Sequence, residues 1–489
     1  MAARFIWCSL LLLPFGHSQV LDLLDEASLV QLSKLMRTAR LRTASQDPGV
    51  EHFWSGRGGG PATRSSVDFP APNISRVPSW VWENELHEQV RHSPLIDADK
   101  NIYLATTTRL RKLDSNGTLL WMLNWGFLGA AMSDAPALYQ GDIYLITRGM
   151  GEAPTVASIA TKTGAVNWLQ RFGNMTHHGD AQSLSVYNGT IFFGIAREGD
   201  GTDAVVALRA SDGTYLWDYQ TDETMWNFSP STPGDGTLLF ASSCGAVFRL
   251  SAEGKLLWRA GKGKPTKAAK PEMCVPGGGA LGPNGVFYVE SSQASGIHGE
   301  DGTLAAYNVA DGSLLWERAL PLRAAQYPAV GRLGKNGPLA VVAGLGDNPM
   351  PVMPNEISAA IVSKVGPWRN SVLAMDAMTG DTLWRYDAPP YHSTFGAGET
   401  DVHNATDGEM CWPDAQGIPL ITGDGTVYAS SSLGGELRQI RDEDGDGLIS
   451  PSEVTVFETN KCFLNSPSVA PGMLVAAPCW GPMYVFKES

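Results

Sequence analysis

"DGTYLW", residues 212–217, joins a tight turn to a short apolar strand that ends in a tryptophan. Five related phrases occur elsewhere in the chain, namely NGTLLW (116–121), TGAVNW (163–168), EGKLLW (253–258), DGSLLW (311–316) and TGDTLW (379–384). Successive tryptophans in this series are 47, 49, 41, 58 and 68 residues apart. Intervals of this length hold about four short strands each, which predicts a β-propeller or a solenoid.

The two ends of the repeat region decide between these architectures. The last copy, SPSVAPGMLVAAPCWGPMYVFKES (466–489), supplies three strands, whereas PSWVWENE (78–85) supplies a tryptophan strand with no strands before it. Pairing the two completes one blade and leaves the sheet without a long open edge. We therefore predict an all-β, eight-bladed β-propeller closed by an N-terminal strand, with fourth strands at Trp82, Trp121, Trp168, Trp217, Trp258, Trp316, Trp384 and Phe457. A seven-bladed ring is the alternative, because the long interval between Trp316 and Trp384 leaves the count open.

These repeats resemble those of the PQQ-like, or quinoprotein alcohol dehydrogenase-like, β-propeller family, whose units end in the same D/T-G-x-x-x-W phrase. The resemblance covers about 77–489 and implies the propeller fold for that region. For function it implies two classes, because the family includes quinone-dependent dehydrogenases as well as non-catalytic binding and scaffold propellers.

The composition and the first residues indicate a globular protein of the secretory pathway. Hydrophobic residues make up 43% and charged residues 18% of the chain, and 54 glycines accompany 31 prolines, a balance typical of turn-rich β-proteins. Residues 1–18 place Arg4 before an apolar run and end on small residues, which predicts a cleaved signal peptide. We expect the protein to be secreted or located in the secretory-pathway lumen.

The sequence also bears on glycosylation, membrane insertion and nucleic-acid binding. Six N-x-S/T sequons would then be glycan acceptors, at Asn73, Asn116, Asn174, Asn188, Asn227 and Asn404. No later stretch has the roughly 20 apolar residues that a membrane span needs. The net charge of −14 argues against a nucleic-acid partner, because no continuous basic face is available to neutralise phosphates.

Residues 19–76 precede the predicted ring at 77–489. Leucines and an alanine at helical spacing predict one short amphipathic helix, with an apolar face formed by Leu21, Leu24, Leu32, Leu35 and Ala39. The Gly-, Pro- and Ser-rich residues that follow, through about Pro72, predict a linker. Three roles for the helix remain open: packing against its own propeller, binding a partner, or serving as a removable pro-segment.

One turn departs from the repeat. RDEDGDGLISPSEV (441–454) replaces the expected D-G turn between the third and fourth strands of the seventh blade. Residues 442–453 meet the requirements of an EF-hand calcium loop, with ligands at Asp442, Asp444, Asp446, Leu448, Ser450 and Glu453. In such a loop Leu448 uses its backbone carbonyl, Ser450 acts through a water and Glu453 binds with both oxygens. We predict calcium as the cofactor, in a structural role, because a single loop fixed between two strands has no paired loop with which to open a groove.

Five cysteines follow the signal peptide, at Cys244, Cys274, Cys411, Cys462 and Cys479. All five fall in second-to-third-strand turns or blade-to-blade connections, which lie on one face of a propeller. For an oxidising compartment we predict disulfides Cys244–Cys274 and Cys462–Cys479, with Cys411 free or intermolecular.

The same face should carry a set of histidines with an aspartate, namely His177, His178, His392, His403 and Asp401. Lining a ligand funnel and holding a transition metal are two alternative roles for them. Their spacing matches no metal signature, so we interpret them as ordinary loop residues. No nucleophile, base or oxyanion arrangement is recognisable. We therefore assign no catalytic residue, and residues for an organic cofactor remain unknown.

Two functions are consistent with the sequence. We favour a secreted, calcium-binding propeller that acts as a non-catalytic binding or scaffold module for a protein or glycan ligand on the propeller face. The alternative is a PQQ- and calcium-dependent quinoprotein dehydrogenase. The family resemblance implies adjacent cysteines beside the quinone of such an enzyme, and this sequence contains no Cys-Cys pair.

Overall fold

The computed structural model of the protein describes most of residues 52–488. The described segments are 52–86, 88–124, 130–132, 135–149, 154–172, 175–176, 183–197, 203–223, 225, 228–263, 275–292, 302–324, 326–347, 367–392, 396–398 and 416–488. The predicted signal peptide and amphipathic helix lie outside them, as do Asn174, His177, His178, Asn227, Cys274, Asp401, His403, Asn404 and Cys411.

The described residues form eight antiparallel sheets that are the blades of a β-propeller. The strands of each blade follow from the innermost to the outermost. Blade 1 contains Leu95–Ile96, Ile102–Ala105, Arg109–Leu113 and Leu119–Asn124; blade 2 contains Ala130–Met132 and Ala137–Tyr139, which both pair with Asp142–Gly149, then Thr155–Ala160 and Val166–Arg171. Blade 3 contains Met175–Thr176 and Ser185–Tyr187, which both pair with Thr190–Arg197, then Asp203–Arg209 and Tyr215–Gln220; blade 4 contains Leu238–Ala241, Val247–Leu250 and Leu256–Ala260. Blade 5 contains Val275–Leu281, Val286–Ser292, Gly302–Asn308 and Leu314–Ala319; blade 6 contains Ala329–Arg332, Leu339–Gly346, Trp368–Asp376 and Thr382–Tyr391. Blade 7 contains Leu420–Ile421, Val427–Ser430, Glu436–Ile440 and Val454–Glu458; blade 8 contains Ser468–Ala470, Met473–Ala476, Met483–Lys487 and Trp80–Trp82.

The eight-bladed prediction is therefore confirmed, and the seven-bladed alternative is wrong. The long interval between Trp316 and Trp384 contributes the single blade 6. In blade 4 an isolated bridge between Ser231 and Leu239 stands where the other blades have an innermost strand.

Helical structure in the described residues is limited to two short 3₁₀ helices, Arg57–Gly59 and Pro451–Glu453. None of the helices in this part of the chain is long and apolar enough to span a membrane.

The recurring phrase seen in the sequence forms the contact between neighbouring blades. In six places the indole N–H of a tryptophan donates to a backbone carbonyl of the following blade at 2.7–3.1 Å, from Trp80, Trp121, Trp168, Trp217, Trp258 and Trp316. The glycine of the following blade's turn lies against the same indole with a φ between +70° and +90°. A β-carbon on these glycines would come within 2.5–3.0 Å of the ring, so the turn requires glycine for both conformation and space.

Blades 7 and 8 replace this contact. Blade 7 has the acidic loop in place of the D-G turn, and Ile449 of that loop packs in the apolar cluster that contains Trp384. Blade 8 has no such turn, and Phe457 of blade 7 instead packs edge-to-face on Tyr484 and Phe486, with centroids 5.1 Å away in both cases. Aromatic packing thus substitutes for the glycine contact at the closure.

The closing strand lies where it was predicted. The tryptophan that contacts the next blade is Trp80, and the prediction of Trp82 is wrong. Trp80–Trp82 pairs with Met483–Lys487 and completes blade 8. Trp80 donates to Ser115 O and lies under Gly117 of blade 1, whereas the Trp82 ring stacks against the Arg111 guanidinium at 5.0 Å. Both tryptophans face the same side of a strand, so only the register with Val485 and Met483 distinguishes them.

The linker prediction is wrong for residues 52–72, which pack against the propeller. We refer to this segment as the strap. The strap is held inside the ring instead of crossing open solvent, and the side chains of Trp54 and Ser65 are fully buried. It forms backbone bridges to Ile96 of blade 1 and to Ile421 of blade 7, which are both innermost strands. The Gly-, Pro- and Ser-rich composition here serves close backbone packing.

Replacing Gly213 with alanine should destabilise the ring more than replacing Gly189, a turn glycine of the same blade. The two glycines have almost equal φ angles of +72° and +73°, so each substitution carries a left-handed strain of roughly 1–2 kcal/mol. Only Gly213→Ala adds a clash, because its β-carbon would lie 2.6 Å from the Trp168 ring while nothing lies within 4 Å at Gly189. We expect an additional loss of roughly 1–3 kcal/mol, measured as the unfolding midpoint in thermal denaturation. Equal midpoints for the two variants would contradict this role of the glycine contact.

Candidate metal centre

The acidic loop occupies the predicted place in the fold. It connects Glu436–Ile440, the third strand of blade 7, to Val454–Glu458, the fourth strand. The backbone N–H of Arg441 donates to Glu453 O at 3.1 Å, which closes the loop at its base. The two ends of the calcium-loop motif therefore start from the same rung of the hairpin.

Carboxylate oxygens converge at the centre of this loop. Asp442, Asp444 and Glu453 each offer an oxygen, and these oxygens lie within 4.8 Å of one another. Among the residues that the structure describes, this is the one group of three or more histidine, cysteine or acidic side chains close enough to share a metal ion. It unites positions 1, 3 and 12 of the predicted loop.

The other three predicted ligands lie in the same loop but outside this carboxylate group. Asp446 Oδ1 accepts the N–H of Leu448 at 2.7 Å, and Ser450 Oγ shares a hydrogen bond with Ser452 Oγ at 2.8 Å. The Leu448 side chain is 70% exposed, as expected for a residue that would use only its carbonyl. Three of six predicted ligands are thus gathered, and three are near them in sequence.

Backbone N–H groups hold the carboxylates in position. Asp442 accepts from Gly445 N at 2.8 Å and from Gly447 N at 3.1 Å. Glu453 accepts from Ser450 N and Glu443 N, both at 2.7 Å. The Ser450 and Glu443 N–H groups lower the pKa of Glu453 below its ordinary value, so this side chain is ionised and available to a cation at neutral pH.

Two glycines and one isoleucine shape the loop. Gly445 and Gly447 have φ angles of +75° and +79°, which L side chains rarely adopt. A β-carbon on Gly447 would lie 3.0 Å from the Leu383 carbonyl of blade 6, and Ile449 packs in the cluster shared by blades 6 and 7. The loop is therefore anchored on the neighbouring blade as well as on its own.

The predicted histidine face is described only at His392, which follows the outermost strand of blade 6 and is exposed. His177, His178, Asp401 and His403 are outside the described residues. Their location on one face of the propeller therefore stays a prediction.

The cysteine prediction is wrong in one of its two pairs. Cys462 and Cys479 share a small buried cluster, and the Cys479 N–H donates to Cys462 O at 2.7 Å. Their sulfurs are nevertheless not joined, because Cys479 is bonded in a different disulfide and Cys462 is not its partner. Sequence reasoning placed the two residues side by side correctly, but adjacency does not fix which sulfurs bond. The Cys244–Cys274 pair stays a prediction, since Cys274 lies outside the described residues.

Sequons in the described residues occupy accessible turns. Asn73, Asn116 and Asn188 are all exposed. Asn116 is in the turn that lies against Trp80, where Lys487 Nζ donates to its Oδ1 at 2.9 Å. The side chains are thus placed where a glycan would extend into solvent.

One buried acid was not anticipated from the sequence. Glu290, in the second strand of blade 5, is fully buried, and neither carboxylate oxygen has a hydrogen-bond partner among the described residues. Burial raises its pKa well above 4.5. The strand reads VFYVESS (286–292), and nothing in its alternation marks the acid as buried, because blade strands are covered on both faces.

Comparisons with known proteins extend the fold assignment. None of the curated proteins matches this sequence. A family model described as outer membrane protein assembly factor BamB matches four overlapping segments, at 79–194, 109–269, 152–347 and 245–450.

Solved structures with a similar fold include BamB and two dehydrogenases. The structure of BamB from Moraxella catarrhalis is 14% identical with a TM-score of 0.56, over 84% of this chain and 99% of that one. A quinohemoprotein alcohol dehydrogenase from Comamonas testosteroni is 13% identical with a TM-score of 0.58, over 94% and 84%. A europium-containing methanol dehydrogenase is 10% identical with a TM-score of 0.57, over 93% and 100%. Identities this low concern the fold alone.

Replacing Glu290 with glutamine should remove a pH-dependent component of stability. An acid whose pKa is raised on folding stabilises the native state below its unfolded value, near 4.5, and that contribution is lost as the pH rises toward the folded value. The unfolding midpoint of the wild type should therefore fall more than that of Glu290→Gln between about pH 5 and about pH 8. Glu85→Gln, at an exposed position, serves as the control and should follow the wild type. Parallel pH profiles for the wild type and Glu290→Gln would show that the buried acid does not titrate as stated.

Proposed function

Since this chain belongs to the family of PQQ-like β-propellers described as outer membrane protein assembly factor BamB, we propose that it is a calcium-binding propeller acting as a non-catalytic binding or scaffold module. It works in the lumen of the secretory pathway or outside the cell. Its ligand is a protein or a glycan held on a propeller face.

One observation carries the calcium assignment. The oxygens of Asp442, Asp444 and Glu453 lie within 4.8 Å of one another, at positions 1, 3 and 12 of a twelve-residue loop with glycine at position 6. The set contains only oxygen, and calcium is a hard cation that takes about six to eight oxygens in flexible geometry. Asp446, the Leu448 carbonyl and a water on Ser450 would supply the rest of the shell.

Electrostatics favours a cation in this loop. Carboxylates brought this close repel one another, and their clustering is unfavourable unless a positive charge offsets it. The backbone N–H groups that bind Asp442 and Glu453 offset part of this repulsion. A divalent ion would offset the remainder and rigidify the hairpin.

The ion's role is structural. Ile449 and Gly447 attach the loop to blade 6, while Asp442 and Glu453 belong to blade 7. An ion that fixes these residues stabilises the contact between blades 6 and 7, where Trp384 of blade 6 meets no D-G turn glycine. Such a loop supports a binding platform and does not act as a sensor.

The alternative, a PQQ- and calcium-dependent dehydrogenase, has the fold likeness in its favour. Against it stand the strap, which lies inside the ring where an axial cofactor would bind, and the position of the acidic loop in a third-to-fourth-strand turn. Absorption spectra before and after addition of the quinone with calcium separate the two. We expect no tight uptake of the quinone and no dye reduction by an alcohol. Tight uptake or dye reduction would reverse the assignment.

Calcium should raise the thermal stability of the wild type, and Asp442→Asn should abolish this effect. An ion at a hundred times its dissociation constant adds about 2.7 kcal/mol, which corresponds to several degrees in a protein of this size. Glu443→Gln removes the same charge at position 2, which is not a ligand, and should keep the calcium response. Midpoints are compared in calcium and in chelator, with titration calorimetry as the second readout.

Two outcomes would remove the calcium proposal. One is a wild-type midpoint that does not differ between calcium and chelator, together with no heat of binding. The other is equal loss of the response in Asp442→Asn and Glu443→Gln, which would indicate a general charge effect.

A further inference from the structure

The strap follows the inside of the ring from blade to blade. Its carbonyls accept N–H groups of innermost segments in order around the axis, at 2.7–3.0 Å, with the pairs Trp54–Ile96, Ser55–Leu138, Pro61–Thr232, Ala62–Leu281, Arg64–Val330 and Ser65–Ile421. These partners belong to blades 1, 2, 4, 5, 6 and 7. The strap thus adds an inner layer of backbone pairing to the ring.

This pairing satisfies groups that the blades leave open. The innermost strand of a blade pairs only on its outer side, so its inner N–H groups face the axis without a strand partner. An extended segment that supplies carbonyls to such an edge is a recurring mode of peptide recognition. Main-chain bonds of this kind give affinity without requiring particular side chains.

Side chains of the strap add selectivity. Trp54 is fully buried in the cluster of blades 1, 7 and 8. The hydroxyls of Thr63, Ser65 and Ser66 donate to carbonyls of blades 5, 7 and 6, to Gly279 at 3.0 Å, Pro419 at 2.5 Å and Val330 at 2.7 Å.

Arg57 and two glycines complete the fit. The Arg57 guanidinium donates to Gln326 Oε1 and lies 5.1 Å from the centre of the Tyr327 ring. Gly58 has a φ of +68°, and a β-carbon there would come 3.0 Å from the Tyr327 hydroxyl. Gly59, with a φ of +87°, lies against Trp54 of the strap itself, where a β-carbon would come 3.1 Å from the ring. The wall therefore accepts an aromatic residue, then an arginine followed by a glycine, then small hydroxyl residues.

We propose that the inner wall of the ring is a peptide-binding site and that the strap is its resident ligand. The ligand class is an extended peptide with the pattern of residues 54–66. Every contact described above is noncovalent, and the strap is joined to the propeller only through the short connection to Trp80. Arg76 and Val77 in this connection are exposed, Val77 by 88%. Cleavage there would turn the strap into a dissociable ligand.

The test is a chain with a protease site inserted between Arg76 and Val77, cleaved after folding. The control chain carries the same site between Lys335 and Asn336, an exposed turn of blade 6, whose cleavage leaves the strap attached. Calcium is kept constant throughout. After gel filtration in mild urea, a labelled peptide of residues 52–74 is added, and binding is followed by anisotropy and by the unfolding midpoint.

We expect release of the strap fragment to lower the midpoint of the chain cut at Arg76, and the peptide to restore it saturably. A Trp54→Ala peptide should bind about a hundredfold more weakly, because a fully buried aromatic contact is lost. The proposal is overturned if the fragment cannot be displaced by excess labelled peptide. It is equally overturned if a scrambled peptide restores the midpoint, or if release of the strap leaves the midpoint unchanged.

Discussion

The ring depends on one repeated contact between blades, in which a turn glycine lies flat against the tryptophan of the blade before it. Any side chain on that glycine would enter the indole, at 2.5–3.0 Å, and the indole N–H is held at the same time by a carbonyl of the next blade. Turn conformation, blade spacing and tryptophan burial are therefore fixed together. The phrase that repeats in the sequence therefore marks the interface between neighbouring blades.

Because both partners of this contact are visible in one sequence, the blade count and the closing strand could be predicted. The identity of the closing tryptophan could not, since Trp80 and Trp82 differ only in their register with a strand from the other end of the chain. The strap was missed for a related reason. Glycine, proline and serine have the same appearance in a loose linker and in a segment packed against backbone, and the inner edges that bind the strap come from six distant parts of the chain.

The candidate site divides in the same way. The ligand spacing of 442–453 is local and is readable from the sequence, and so is its place between two strands of blade 7. The attachment of Ile449 and Gly447 to blade 6 is not local, so the sequence motif alone could not predict it. The burial of Glu290 could not be predicted from the sequence. A strand that is covered on both faces does not alternate between buried and solvent-exposed residues. The fold brings Cys462 and Cys479 together, but the position of cysteines in the fold does not determine which of them form a disulfide.

The pairing of Trp80–Trp82 with Met483–Lys487 also governs how the protein is made. Roughly 400 residues separate the closing strand from its partner, so the ribosome delivers the partner long after the closing strand has emerged. Pairings of such sequence separation form slowly, and until then unpaired edges are exposed to wrong partners. A premature stop codon ahead of Met483 would accordingly do more than delete one blade. The Trp80–Trp82 strand would have no partner, and the ring of blades would stay open.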